Sequence, residues 1–235
     1  MKILSIECSA TPASCAIIDD GKILASSFVN ARLTHSQTLM PMIINTLDNS
    51  ATKLSDIDRI AVAVGPGSFT GLRIGISAVK GLATPNKLPC VAVSTLDGMA
   101  QQFSDCDCIL CAVMDARCNQ FYNAVFDISN GTITRLCEDR ALLCDELKNE
   151  LAKILDSKKI ILCGDGAELF YKSVSDLPNV TVAPEYLKYQ SAVGIGLYAY
   201  NNADNGTVSS DTLLPVYLRL PQAERELKAK TEEKK

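Results

Sequence analysis

The stretch Gly65-Pro66-Gly67-Ser68-Phe69-Thr70-Gly71-Leu72-Arg73-Ile74-Gly75 most constrains how this chain folds. It follows a continuous apolar run, Ile60 to Val64, and opens a run of small and apolar residues that ends near Ala83. An apolar run bounded by Gly-Pro predicts a buried strand that stops at the turn. Gly65 and Gly67 supply backbone angles closed to other residues, and Pro66 fixes the turn between them. Ser68 or Thr70 is then placed to cap a helix by accepting a backbone N–H. A strand, a glycine turn and a capped helix start point N–H groups and the positive helix end outward, a geometry suited to phosphate or carboxylate. The loop is not a P-loop, because Gly71 is followed by Leu72 and Arg73. A tight strand-to-helix turn that binds nothing stands as the alternative.

Around this stretch the chain reads as two similar halves. Lys2–Glu7, Ser14–Asp19 and Lys22–Val29 predict three strands, with Asp20-Gly21 turning the second pair. The spacing of Leu39, Met40, Ile43, Ile44 and Leu47 predicts a helix to about Asn49. Thr34 with Gln37 suits a capping box, and Pro41 is tolerated if the helix effectively begins near Thr38. A strand at Cys90–Ser94 and a helix from Thr95 to Phe103 follow the central stretch. Cys108–Met114, Gln120–Asp127 and Thr132–Cys137 then predict three more strands, with Asn130-Gly131 as a turn. A helix at Asp145–Leu155, a strand at Lys159–Cys163, the turn Gly164-Asp165-Gly166 and a helix at Ala167–Ser175 complete the second round. The order of elements repeats although the residues barely do, which predicts an internally duplicated α/β fold. A further helix is predicted at Ala192–Asn202, and Gln222 to Lys235 reads as a charged, solvated tail.

Composition narrows the function classes. The length of 235 residues suits one large domain or two small ones. No apolar run approaches a membrane span, and Met1-Lys2 leads straight into a strand pattern without an export signal. Ten cysteines in such a chain read as reduced cytosolic thiols. Cys106, Cys108 and Cys111 lack paired CxxC spacing, and the strand period places Cys111 on the face opposite the other two. They read as small core residues rather than zinc ligands. The formal net charge of −4, with no basic cluster before the tail, implies that any work on RNA needs a basic partner. His35 is the only histidine, which rules out a two-histidine metal site. Ser9, Ser68 and Thr70 lie in no G-x-S-x-G elbow, so a Ser–His hydrolase is not supported. Glu7 and Asp115 end the first strand of each half; paired acids at a cleft serve acid–base chemistry or magnesium, whereas acids in turns accept backbone N–H groups.

The eleven-residue central stretch resembles the signature of the TsaB (YeaZ) family. Asp115-Ala116-Arg117-Cys118-Asn119-Gln120-Phe121-Tyr122 resembles the family's second motif, with Phe121 in place of the usual valine. Leu214-Pro215-Val216-Tyr217-Leu218-Arg219 resembles its closing motif, while Glu7 and Cys8 depart from the usual Asp-Thr or Asn-Thr. The likeness implies a shortened, two-lobed member of the actin, sugar-kinase and heat-shock chaperone superfamily, an actin-like (ribonuclease H-like) α/β fold. Its lobes would be residues 1–104 and a smaller 105–221, with the helix at 192–202 packing back towards the first and 222–235 as tail. It further implies a non-catalytic subunit that binds and activates a TsaD-type transferase, which makes N6-threonylcarbamoyladenosine in tRNA, and helps recruit a TsaE-type ATPase. Neither a tightly bound cofactor nor a metal is expected; ATP and magnesium would enter only in the assembled complex, and tRNA would be met only through it. Two helices would form the partner surface, with Leu39, Met40, Ile43, Leu72, Arg73, Gly75, Ile76, Val79 and Lys80 as contacts. The same apolar pair would allow a homodimer when the chain is alone. Gly65, Gly67, Ser68, Thr70 and Asp115 are the expected anion or nucleotide contacts, and the setting is cytoplasmic without membrane attachment. The competing readings are an Mg-ATP-binding kinase-like enzyme and a peptidase-like protein.

Overall fold

Strand β1 (Lys2–Glu7) is inaccessible from its second residue onward and alternates its side chains between two cores. Leu4 and Ile6 join one apolar cluster and Ile3 joins another, as the two-residue period of a strand covered on both faces requires. The computed structural model describes residues 1–154 and 158–219. Around β1 lie β2 (Ala13–Asp19), β3 (Lys22–Val29), β4 (Arg59–Gly65) and β5 (Cys90–Ser94), in the order β3-β2-β1-β4-β5. The β1–β2 and β2–β3 pairs are antiparallel; β4 runs parallel to both β1 and β5. Asp20 and Gly21 both take positive φ, the hairpin geometry that their sequence predicts. Helices α1 (His35–Asn49) and α2 (Phe69–Ala83) cover one face of this sheet.

The second half repeats the plan. Strands β6 (Cys108–Asp115), β7 (Gln120–Ser129), β8 (Thr132–Arg135), β9 (Arg140–Leu143), β10 (Ile160–Cys163) and β11 (Val180–Val182) form a sheet ordered β11-β10-β6-β7-β8, with β9 also on β7. Read from β11, this is the first sheet's order read from β5. The predicted duplication is therefore present in the strand connectivity. Helices α4 (Cys144–Ile154) and α5 (Ala167–Val174) cover the outer face. Cys106 and Cys108 sit on the inner core of this sheet and Cys111 on the outer one, so the three thiols cannot meet.

Two helices lie between the sheets. α3 (Thr95–Gln101) packs Leu96, Met99 and Ala100 against Leu110, Ala112, Met114 and Phe126 of the second sheet. The short α6 (Glu185–Lys188) precedes α7 (Ala192–Asn201), which packs Ala192, Ile195 and Ala199 against Ile3, Ile18, Ala61 and Val93 of the first sheet. The two cross where side chains are missing: a Cβ on Gly194 would sit 2.0 Å from the Gly98 carbonyl oxygen. Arg135 joins the halves from another side, donating to Asp97 of α3 at 2.6 Å and to Asp139 at 2.7 Å.

Several local expectations need correction. Thr34 stands at the N-cap of α1 but makes no side-chain capping bond, and the helix begins at His35, so Pro41 lies inside it. Pro41 is exposed, which leaves the carbonyl it cannot pair within reach of solvent. Strands β9 and β11 went unread because four and three residues are too few to show alternation. The end of the fourth predicted helix at Leu155, and the tail from Gln222, lie outside the described residues.

Val79 of α2 is fully inaccessible beneath the sheet. Val79→Glu is expected to cost more than about 3 kcal/mol, the scale for an unpaired charge in a core. A thermal melt followed by circular dichroism should show a large drop in Tm or no cooperative transition.

Candidate functional site: the cleft and the helix groove

Both glycine turns end a parallel strand at one cleft between the sheets. Gly65–Ser68 follows β4, and Gly164–Gly166 follows β10. Ser68 caps α2, its Oγ accepting from the Gly71 N–H at 3.2 Å, while Thr70 lies exposed in the first turn. The expected outward display of amides is only partly met. The Ser68 N–H donates to the Ser9 carbonyl at 2.6 Å, so it faces the chain and not a ligand. A Cβ on Gly67 would lie 2.4 Å from that same oxygen, and one on Gly71 would lie 2.0 Å from the Cys8 carbonyl oxygen. The glycines thus let the loop close on the turn that follows β1.

Residues 214–219 cross the front of the loop. The Val216 N–H donates to the Val64 carbonyl at 2.7 Å, and a Cβ on Gly65, at φ +132°, would lie 2.3 Å from the Val216 carbonyl oxygen. Tyr217 stacks on Phe69 with ring centroids 4.7 Å apart. Arg73 lies 3.8 Å over the Phe69 ring and donates from Nε to the Tyr217 hydroxyl at 3.0 Å. Arg219 donates to the carbonyls of Ala116 and Arg117 in the second half. What remains of the cleft is about 490 Å³, lined among others by Ser9, Thr70, Asp115, Asp165 and Tyr217.

Two carboxylates serve turns, Glu7 buried behind the cleft and Asp115 on its lining. Glu7 is fully buried, and its Oε1 accepts the Ser9 N–H at 2.5 Å. Burial pushes its carboxyl up to about 7 despite the hydrogen bonds from Ser9, and the charge of Asp165 adds to the rise. Asp115 accepts the Arg117 N–H at 2.7 Å and pairs with the Arg117 guanidinium at 3.2 Å. Asp165, read from the sequence only as part of a turn, lies on the same cleft. Its carboxyl is raised first by burial, opposed by the hydrogen bond from Gln190, and raised further by Asp115. The signal that could have found it is the duplication, since Gly164-Asp165-Gly166 is the second-half counterpart of the central glycine turn. His35 lies with its Nε2 2.8 Å from the Ala10 carbonyl, part-buried, and lines no acid–base pair.

Outside the cleft, α1 and α2 leave a groove of about 630 Å³, lined by Leu39, Met40, Phe69, Arg73, Ile74 and Ala78 among others. Of the expected partner contacts, Met40 and Arg73 are exposed here. Lys80 is half-buried, reaching the Asp211 carbonyl at 3.3 Å. Leu39 floors the groove while almost wholly covered. Ile43, Gly75, Ile76 and Val79 instead face the sheet, Leu72 packs at the end of β4 beside Gly65, and all five are buried in this chain. The apolar spacing marks a buried face just as well as a docking face. Met40 and Ile44 are the exposed large apolar residues of α1, and Ile74 and Ala78 of α2 are half-buried at the groove, each next along its helix to a buried residue.

Two halves of equal strand order, closed over a cleft with a glycine turn from each, define the two-lobed actin-like class. A family model described as "TsaD: tRNA N6-adenosine threonylcarbamoyltransferase" matches residues 29–225. The tRNA threonylcarbamoyladenosine biosynthesis protein TsaB of Escherichia coli (strain K12) is 32% identical over 233 residues, covering 98% of this chain and 100% of that protein. The solved structure of YeaZ from Pseudomonas aeruginosa superposes with a TM-score of 0.77 at 27% identity, over 92% of this chain and 99% of that one. Component A of (R)-2-hydroxyglutaryl-CoA dehydratase from Acidaminococcus fermentans shares the fold alone, with a TM-score of 0.52 at 16% identity, over 87% of this chain and 99% of that one. The chain belongs to the TsaB family.

Glu7 makes stability depend on pH. Its carboxyl titrates near 7 in the folded chain but near the ordinary 4.5 when unfolded, so the folded state holds the extra proton between these values. Stability from this group therefore falls as pH rises from about 4.5 through 7, by about 3 kcal/mol at most. Glu7→Gln keeps an acceptor for the Ser9 N–H and removes the titration. The variant is expected to gain on the parent in Tm steadily between pH 5 and pH 8; parallel Tm–pH curves would contradict this.

Proposed function

We propose that this chain is a subunit of the machinery that makes N6-threonylcarbamoyladenosine in tRNA, acting by holding a TsaD-type transferase in its working state. The observation that carries the reading is the end-to-end likeness to a protein named for this biosynthesis. The cleft supports a non-catalytic role. Glu7 and Asp115 are engaged in turns, the Ser68 amide is internally bonded, and residues 214–219 lie across the glycine loop. Among the described residues no group of three or more His, Cys, Asp or Glu side chains is placed to hold a metal ion.

The partner surface in this reading is the α1–α2 groove, apolar along its floor and bordered by Arg73. Exposed Met40 and Ile44 suit an adaptable contact, methionine because its side chain refits easily. Recruitment of a TsaE-type ATPase, entry of ATP and magnesium only once the complex has formed, and contact with tRNA through the complex belong to the same proposal. Pairing of two copies through the same groove is its counterpart when the transferase is absent. No helix among the described residues is long and apolar enough to cross a membrane. All ten cysteines are free thiols, consistent with a reducing cytoplasm as the proposed setting.

Size-exclusion chromatography with light scattering, on this chain mixed with the TsaD-type protein of the same organism, tests the reading. A stoichiometric complex is expected. Met40→Glu combined with Ile44→Glu, both at exposed positions, should weaken it at least about a hundredfold, as loss of central apolar contacts does, while the far-ultraviolet dichroism stays unchanged. Separate elution of the two parent proteins, with and without Mg-ATP, would overturn the proposal.

A further inference from the structure

The segment across the cleft is fastened by a residue that belongs to the other surface. Arg73 lines the α1–α2 groove and is exposed there, yet its guanidinium stacks on Phe69 and its Nε donates to the Tyr217 hydroxyl. Phe69 and Thr70 line both the groove and the cleft. Tyr217 in turn stacks on Phe69, one residue from the Val216 N–H bonded to the Val64 carbonyl. One guanidinium therefore serves as a side of the groove and as the outer clamp of the segment.

We propose that residues 214–219 form a latch over the cleft whose closure is governed by Arg73, and that a protein docking in the groove with an acidic side chain opens it. The inference rests on the groove being the docking surface. A carboxylate accepts two charge-assisted hydrogen bonds from a guanidinium, a stronger pairing than a single neutral hydroxyl provides. An acid arriving in the groove draws Arg73 from Tyr217, the aromatic stack loses its cap, and the Val216 anchor loosens. The Gly65–Thr70 loop, covered by Val216 and Tyr217 in the free chain, becomes open to the cleft. Coupling of this kind is reciprocal, so loosening the latch first must tighten docking.

Hydrogen exchange at the Val216 amide, followed by mass spectrometry on the full chain alone, reads the latch directly. Arg73→Ala is expected to speed that exchange about tenfold, the scale of one lost cation–π and hydrogen-bond contact. Tyr217→Phe, which keeps the stack, should speed it less, and Lys148→Ala, whose partner is Asp176 in the second half, should leave it alone. Unchanged exchange in a folded Arg73→Ala chain overturns the proposal. With the TsaD-type protein added, Val216 exchange should rise and Tyr217→Ala should bind more tightly than the parent. A complex that forms without raising the exchange overturns the latch and leaves the docking reading standing. Absence of any complex, with parent or variant, overturns the docking reading itself and with it the latch's read-out by a partner.

Discussion

Everything at the cleft depends on backbone meeting backbone where β1 ends. The carbonyls of Cys8 and Ser9 point at the glycine loop and the first turn of α2, and the missing side chains of Gly71 and Gly67 let them come this close. A single methyl at either glycine would stand 2.4 Å or less from a carbonyl oxygen, which no side-chain adjustment relieves. The contact fixes the start of α2, and through the length of α2 the outward residues of the groove. It also explains the burial of Glu7. Its carboxylate must bond the Ser9 N–H of the turn that the loop clamps, far from water, and the proton affinity of the group rises as a result. An acid held this way supports a turn through Oε1, while its Oε2 is buried without a hydrogen-bond partner among the described residues.

The same close approach of backbones ties the two halves together. Here α3 and α7 cross with no side chain between Gly98 and Gly194, and the cores on either side run through them. Arg135 binds Asp97 and Asp139 at once, and Ser94 donates to Asp139 at 2.6 Å. Residues 214–219 tie Val64 and Phe69 of the first half to Ala116 and Arg117 of the second. The halves are thus joined at three separate places, of which the 214–219 segment alone lies over the cleft.

Much of this architecture was legible in the sequence. β1 and β3 match their predicted bounds because each is bracketed by strong turn chemistry, and the duplication survives errors of several residues in individual elements. The short strands β9 and β11 were illegible, since they are stabilised by pairing with distant strands rather than by local preference. Long-range packing also decided the site. That the glycine loop bends towards an anion or towards its own chain depends on Ser9 and Val216, which no local spacing reports. The expected apolar contact residues on α2 are buried for a related reason. Leu72, Ile76 and Val79 form a clean apolar stripe, and only the packing beneath it, the sheet under Ile76 and Val79, tells that the stripe is core.

The repeat of the plan makes the difference between the two glycine turns informative. In the second half, Gly164 and Gly166 also bring backbone to backbone, against the Val113 carbonyl and against Met114 and Asp115. The Gly166 N–H is bonded to Val113, as the Ser68 N–H is bonded to Ser9. Each half thus closes its glycine turn on the end of its own first strand. Each turn thereby directs one amide inward by the same construction, once per half. Because α2 starts at the first of these turns, the same contact sets where Arg73 and Ile74 stand along the groove.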